Sequence, residues 1–235
     1  MKRILLFRFA ILIFAARGLD LPALGQGNLG DGTFQNLDFS SADVQFIGSS
    51  GVEIYPGPAL PGWSPTIGAA EPSSMLYNDI YTGSAGIALL GPTQPAVNGD
   101  YTVVLEGGVF AQSGPVSLQQ TGIVPAGANS IQFLSGTYPF YPKSVNEFGL
   151  NINGQPVSLV PLSVANNIWT YGGNISQFAG QTATLDFYDL SGVSSGNLDL
   201  NDITFSSQVI PEPSLSALFG IGGLVIALNL RRKRA

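Results

Sequence analysis

The sequence predicts an all-β protein built as an antiparallel β-sandwich, and three observations lead there. Apolar and polar residues alternate with period two through residues 26–208, the pattern of half-buried strands. Turn signals interrupt that alternation every ten or so residues, too often for βαβ units. Thirty glycines and sixteen prolines against 10% charged residues disfavour long helices or a coiled coil. A hydrophobic share of 45% in 235 residues is too high for disorder and sufficient for a packed core.

The strands follow in order. Tyr101, Val103 and Leu105 alternate with Thr102, Val104 and Glu106. Val116 and Leu118 share one face, Ser117 and Gln119 the other. Val124-Pro125-Ala126-Gly127 forms a turn, after which Ile131 and Phe133 resume the pattern. Phe148, Leu150 and Ile152 run into Asn153-Gly154, a two-residue hairpin signal, and Val157 and Leu159 return from it. Ala183, Leu185 and Phe187 alternate with Thr184, Asp186 and Tyr188. In the last strand Leu198 and Leu200 have one parity, Ile203 and Phe205 the other. The face therefore flips at Asn201-Asp202, which points either to a β-bulge or to a crossing between sheets at a corner.

The two ends read as addresses. Lys2 and Arg3, an apolar run from Ile4 to Ala16 and the small-residue site Ala23-Leu24-Gly25 make residues 1–25 a secretory signal peptide, cleaved after Gly25. Residues 209–235 hold Pro211-Glu212-Pro213-Ser214, an apolar stretch over 215–230 and the basic tail Arg231-Arg232-Lys233-Arg234. Sixteen helical residues span about 24 Å, so this stretch is expected to form a transmembrane helix with its basic end in the cytoplasm. Together these parts resemble the PEP-CTERM sorting signal. The resemblance implies a Gram-negative cell that makes exopolysaccharide, an exosortase-type enzyme as partner, the inner membrane as a stage before processing, and the cell surface or matrix as destination.

Without the two ends the chain is short of cations. Residues 26–210 contain thirteen acidic side chains and one basic one, Lys143, a net charge of −12. Nucleic acid, which is bound by replacing counterions with Lys and Arg, is excluded as a partner. Phosphate, sulfate and anionic lipid are disfavoured for the same reason. The chain has neither cysteine nor histidine, so disulfides, thiol nucleophiles, Ser-His-Asp triads and the usual zinc sites are excluded.

Gly32-Thr33-Phe34-Gln35, Pro61-Gly62-Trp63 and Asn201-Asp202-Ile203 resemble three markers of the galactose-binding-like jelly rolls of carbohydrate-binding modules. That resemblance implies a jelly-roll fold and a structural Ca2+, with Asp202 as a side-chain ligand and Asp199 as a second candidate. Two residues depart from the pattern. Gln35 stands where the family has Glu, and Asn201 where it has the first Asp.

Tyr138-Pro139-Phe140-Tyr141-Pro142 breaks the alternation and reads as a loop, so Tyr138, Phe140 and Tyr141 are the candidates for stacking on sugar. Trp63 and Trp169 read as core residues. Glu53, Glu106, Glu147, Asp186 and Asp189 are the carboxylates a glycosidase could use, though none lies in a catalytic motif. The expectation is an exported, envelope- or matrix-associated protein that is not an enzyme and binds neutral exopolysaccharide. A structural or adhesive protein with protein partners is the alternative, and a carboxylate-based glycosidase the third reading.

Overall fold

The computed structural model describes residues 29–79, 82–94, 97–99, 101–107, 115–136, 148–190 and 197–210. Residues 1–28, which hold the stretch read as a signal peptide, the segment from Pro211 onward and the candidates Tyr138, Phe140 and Tyr141 lie outside these residues, as does Glu147. Among the described residues no helix is long and apolar enough to cross a membrane.

After an irregular entry come β1 (Glu53–Ile54), a single helical turn α1 (Pro56–Ala59), β2 (Ser64–Ile67) and β3 (Met75–Tyr77). β4 (Ile87–Leu90), β5 (Thr102–Leu105), β6 (Val116–Ile123) and β7 (Ser130–Gly136) follow. The second half holds β8 (Phe148–Ile152), β9 (Gln155–Pro156), β10 (Leu159–Ala165), β11 (Ile168–Asn174), β12 (Thr182–Asp189) and β13 (Leu198–Ser206). They form two sheets: β1-β3-β4-β5-β13-β7-β11-β10, and β2-β6-β12-β8-β9.

The alternation sorts residues between the two faces of each sheet. Val116, Leu118, Leu150, Ile152, Leu185 and Phe187 of the five-stranded sheet share one core with Leu105, Ile131, Phe133, Leu198, Leu200 and Phe205 of the eight-stranded sheet. Phe187 lies edge-on to Phe133 at 5.2 Å and 6.2 Å from Trp63, so aromatic rings bridge the layers. Trp63 is buried, as expected of a core tryptophan, and its indole N–H donates to the Asn36 carbonyl at 3.0 Å. Trp169 is half-buried at the margin of the core, 6.2 Å from Tyr171. Burial pushes the Tyr171 phenol above its ordinary pKa.

Four details correct or sharpen the sequence reading. β3 and β4 pair in parallel, the exception in an otherwise antiparallel pair of sheets. Every residue of β4 and β5 is buried, because Ala88, Leu90 and Val104 form a second small cluster with Leu76 on the far face. Alternation of polarity is weak in strands covered on both sides. The Asn153-Gly154 turn forms, both residues having positive φ, but the returning strand is only Gln155–Pro156. Val157 continues the return by one bond, its N–H donating to the Leu150 carbonyl at 2.9 Å, whereas Leu159 opens β10 in the other sheet.

The face flip in β13 is a bulge. Both halves of β13 pair with β7, Asn201 opposite Leu134 and Thr204 opposite Gln132, with the register shift between them. Asp202 takes φ 51° there, and the strand stays in one sheet instead of crossing to the other.

Candidate functional site

The outer face of the five-stranded sheet is polar because of the residues that the alternation turns away from the core. Thr66 of β2, Ser117 and Gln119 of β6, Asp186 and Tyr188 of β12, and Asn151 of β8 line a cleft of about 410 Å3. Gly68, Pro115 and Leu190 complete its wall.

Register decides which of these side chains meet. Asp186 lies opposite Gln119 on one side and Asn151 on the other. Its carboxylate accepts from both amides, Oδ1 from Gln119 Nε2 at 3.2 Å and Oδ2 from Asn151 Nδ2 at 3.3 Å. Two residues along the same face, Tyr188 lies between Ser117 and Gly149. Its ring extends onto β8 over Gly149, where a Cβ would stand 2.3 Å from the Tyr188 hydroxyl. At the β2 edge the Thr66 and Ser117 hydroxyls are hydrogen-bonded at 2.9 Å. The result is a floor of hydroxyls and amides around one oriented carboxylate, with an aromatic ring beside it.

Three of the other carboxylates proposed from sequence, Glu106, Asp189 and Glu53, are among the described residues. Glu106 is buried and accepts from the Thr82 backbone N–H at 2.8 Å and from the Thr82 hydroxyl. Asp189 is fully buried and accepts from the Gly107 N–H at 2.7 Å. Glu53 is exposed on the short edge strand β1. Of the four described, Asp186 lines the cleft. No opposed pair of the kind a glycosidase uses is present among the described residues that line it.

The corner expected to bind calcium is held by an amide. Asn201 is 1% exposed, and its Nδ2 donates to the Asn98 carbonyl at 2.5 Å, to the Tyr101 carbonyl at 2.5 Å and to Thr102 Oγ1 at 3.4 Å. Its own Oδ1 accepts from the Asp202 N–H at 2.5 Å. Asp202 Oδ2 in turn accepts from Asn98 Nδ2 at 3.1 Å. An N–H donor thus points at the carbonyl oxygens that a cation would need, so the donor set around Asn201 does not fit a calcium ion. Asp199 is buried above Gly136, on the same face of β13 as Asn201. A smaller cleft of about 240 Å3 beside Asp202 is lined by Asp31 and Asp38 as well. No three acidic side chains among the described residues come close enough to hold a metal.

The departure from the family pattern at position 201 therefore has a physical reason. An aspartate cannot donate, and Asn201→Asp would set a carboxylate against two carbonyls. That variant is expected to lose about 2–4 kcal/mol, read as a lower urea midpoint. Added calcium should restore part of the loss in Asn201→Asp and leave the wild-type midpoint unchanged.

Gln35, the other departure, has a comparable role. The Gln120 amide accepts from the Gln35 N–H at 2.5 Å and donates to the Gln35 carbonyl at 2.9 Å, clamping the entry segment to β6.

No family model matches this chain, and no curated protein does. Among the solved structures similar to it are three cyclases from Fischerella. An apo-form cyclase from Fischerella sp. is 14% identical, with a TM-score of 0.38, over 76% of this chain and 97% of its own. A cyclase from Fischerella sp. TAU is 16% identical, with a TM-score of 0.38, over 74% of this chain and 94% of its own. The Stig cyclase Fisc from the same strain, solved in complex with (3Z)-3-(1-methyl-2-pyrrolidinylidene)-3H-indole, is 17% identical, with a TM-score of 0.39, over 74% and 96%.

These matches overturn two expectations. The similar structures are enzymes and not carbohydrate-binding modules, so the non-catalytic exopolysaccharide-binding role and the assignment as a non-enzyme are withdrawn. A likeness at TM-scores of 0.38 and 0.39 gives this chain neither a substrate nor a reaction. Sequence reasoning found Asp186 and the polarity of Ser117, Gln119 and Tyr188 but missed Thr66 and Asn151. Their only signal was parity with the polar face, and cross-strand register is not written in parity.

Proposed function

We propose that this protein is exported, sorted through its PEP-CTERM-like end, and works by holding a small neutral or cationic organic molecule in the cleft on its five-stranded sheet. The observation that carries the reading is the Asp186 carboxylate, fixed by the amides of Gln119 and Asn151 at the floor of a 410 Å3 cleft. Sites of this kind combine an apolar wall with a few convergent polar groups, and Pro115, Leu190 and the Tyr188 ring supply that wall. Charge disfavours anions, since residues 26–210 offer thirteen acids and a single lysine.

The route rests on the order Pro211-Glu212-Pro213, apolar stretch, Arg231-Arg232-Lys233-Arg234. In this reading an exosortase-type enzyme handles the C-terminal segment at the inner membrane, and the sandwich of jelly-roll type is left at the cell surface or in the matrix.

Filling the cleft tests the site. Ser117 faces it directly, so Ser117→Tyr places a ring where the ligand would lie. Saturation-transfer NMR on the full chain, with a set of neutral and cationic aromatic fragments, is expected to show binding in the wild type and none in Ser117→Tyr at a similar melting temperature. Equal binding by the two proteins would place the fragments elsewhere and remove the proposal.

A further inference from the structure

The cleft has a chemical polarity that narrows its ligand. Among the described residues its lining holds one carboxylate, Asp186, and no basic residue. An ionised carboxylate accepts at about four lone-pair positions, and the two amides occupy one on each oxygen. Each oxygen thus keeps capacity for a donor from above. Those amides also fix the carboxylate's orientation, so a ligand need not order it on binding.

Two residues further along β12, on the same face, stands the Tyr188 ring. Residues at i and i+2 of a strand are about 7 Å apart, a spacing that the overall length of a small arylalkylamine can bridge. Gly149 lets the ring lie across β8, since any larger residue would hold a Cβ within 2.9 Å of three Tyr188 side-chain atoms. Pro115 and Leu190 border the same end of the cleft.

We infer that the molecule held here is an organic cation, its protonated nitrogen on Asp186 and a flat apolar portion against Tyr188. The inference rests on the cleft being the binding site. An ammonium gains a charge-assisted hydrogen bond to a preoriented carboxylate, while the flat portion attached to it packs on the adjacent ring. A neutral alcohol of the same shape keeps only the apolar contact and an ordinary hydrogen bond.

Three probes of one shape separate the possibilities: 2-phenylethylamine, 2-phenylethanol and 3-phenylpropanoate, titrated into the full chain. The amine is expected to bind about tenfold or more tighter than the alcohol, and the acid not at all. Asp186→Asn should bring the amine down to the level of the alcohol, with the melting temperature checked for both proteins. Gly149→Ala, which displaces the Tyr188 ring, should weaken amine and alcohol together. If the alcohol matches the amine in the wild type, or Asp186→Asn leaves the amine unchanged, the cationic ligand is refuted while the cleft stands. If no probe binds and Ser117→Tyr alters nothing, both readings fall.

Discussion

Phe187→Ala is expected to cost about 3–5 kcal/mol, a large part of the stability of an ordinary domain. Phe187 is fully buried, and its neighbours come from both layers. Phe133 of the eight-stranded sheet lies 5.2 Å away and Trp63 6.2 Å away. Leu118 and Leu150 flank it on the adjacent strands. Truncation leaves a cavity whose walls belong to two sheets, and neither can collapse without moving the other. The next residue provides the control. Tyr188→Ala removes a ring of similar size from the outer face and should cost well under half as much. Urea denaturation of the full chain reads both changes as shifts in midpoint. Equal costs would mean that β12 does not face the core as described.

Gly32→Ala should be nearly as damaging, at about 2–5 kcal/mol, for a reason unrelated to burial of apolar surface. Gly32 has φ 63°, and a Cβ there would stand 1.9 Å from the Ile123 carbonyl oxygen and 3.2 Å from the Pro125 ring. The close approach has a purpose. It lets the Thr33 N–H reach the Ile123 carbonyl at 3.2 Å while the Thr33 hydroxyl accepts from the Ile123 N–H at 2.6 Å. Phe34 is thereby laid over Gly122 and stacked 5.4 Å from Phe205, closing the end of the core. Gly48→Ala separates the two contributions. Its φ is 68° but nothing lies within 4 Å of a Cβ, so only the left-handed backbone is penalised, at about 1–2 kcal/mol. A Gly32→Ala protein no less stable than Gly48→Ala would refute the close packing of the entry segment on β6.

The faces of the strands were legible in the sequence, because parity alone places Leu118, Leu185 and Phe187 inside and Ser117, Asp186 and Tyr188 outside. The flip at Asn201-Asp202 was also legible, although parity could not distinguish a bulge from a change of sheet. Register was not legible. Nothing local indicates that Asp186 lies between Gln119 and Asn151, which are 67 and 35 residues away along the chain. Strand β4 was not read for the opposite reason, since burial on both faces removes the polar half of the alternation.

Position 201 shows how a motif can persist while its chemistry changes. The likeness to Asp-Asp-Ile suggested a cation at the last strand. The single exchange of carboxylate for amide lets the chain hold the 97–102 segment through N–H donors instead. The carbohydrate reading failed differently. It rested on Tyr138, Phe140 and Tyr141, which lie outside the described residues, and on three short motifs.

The central claim is that the outer face of the five-stranded sheet is the binding face, with Asp186 as its polar anchor. A crystal structure of the full chain soaked with 2-phenylethylamine tests it most directly. The account predicts the ring against Tyr188 and the nitrogen within hydrogen-bonding distance of an Asp186 oxygen. An amine found instead beside Asp31, Asp38 and Asp202, with the cleft on the five-stranded sheet empty, would contradict it.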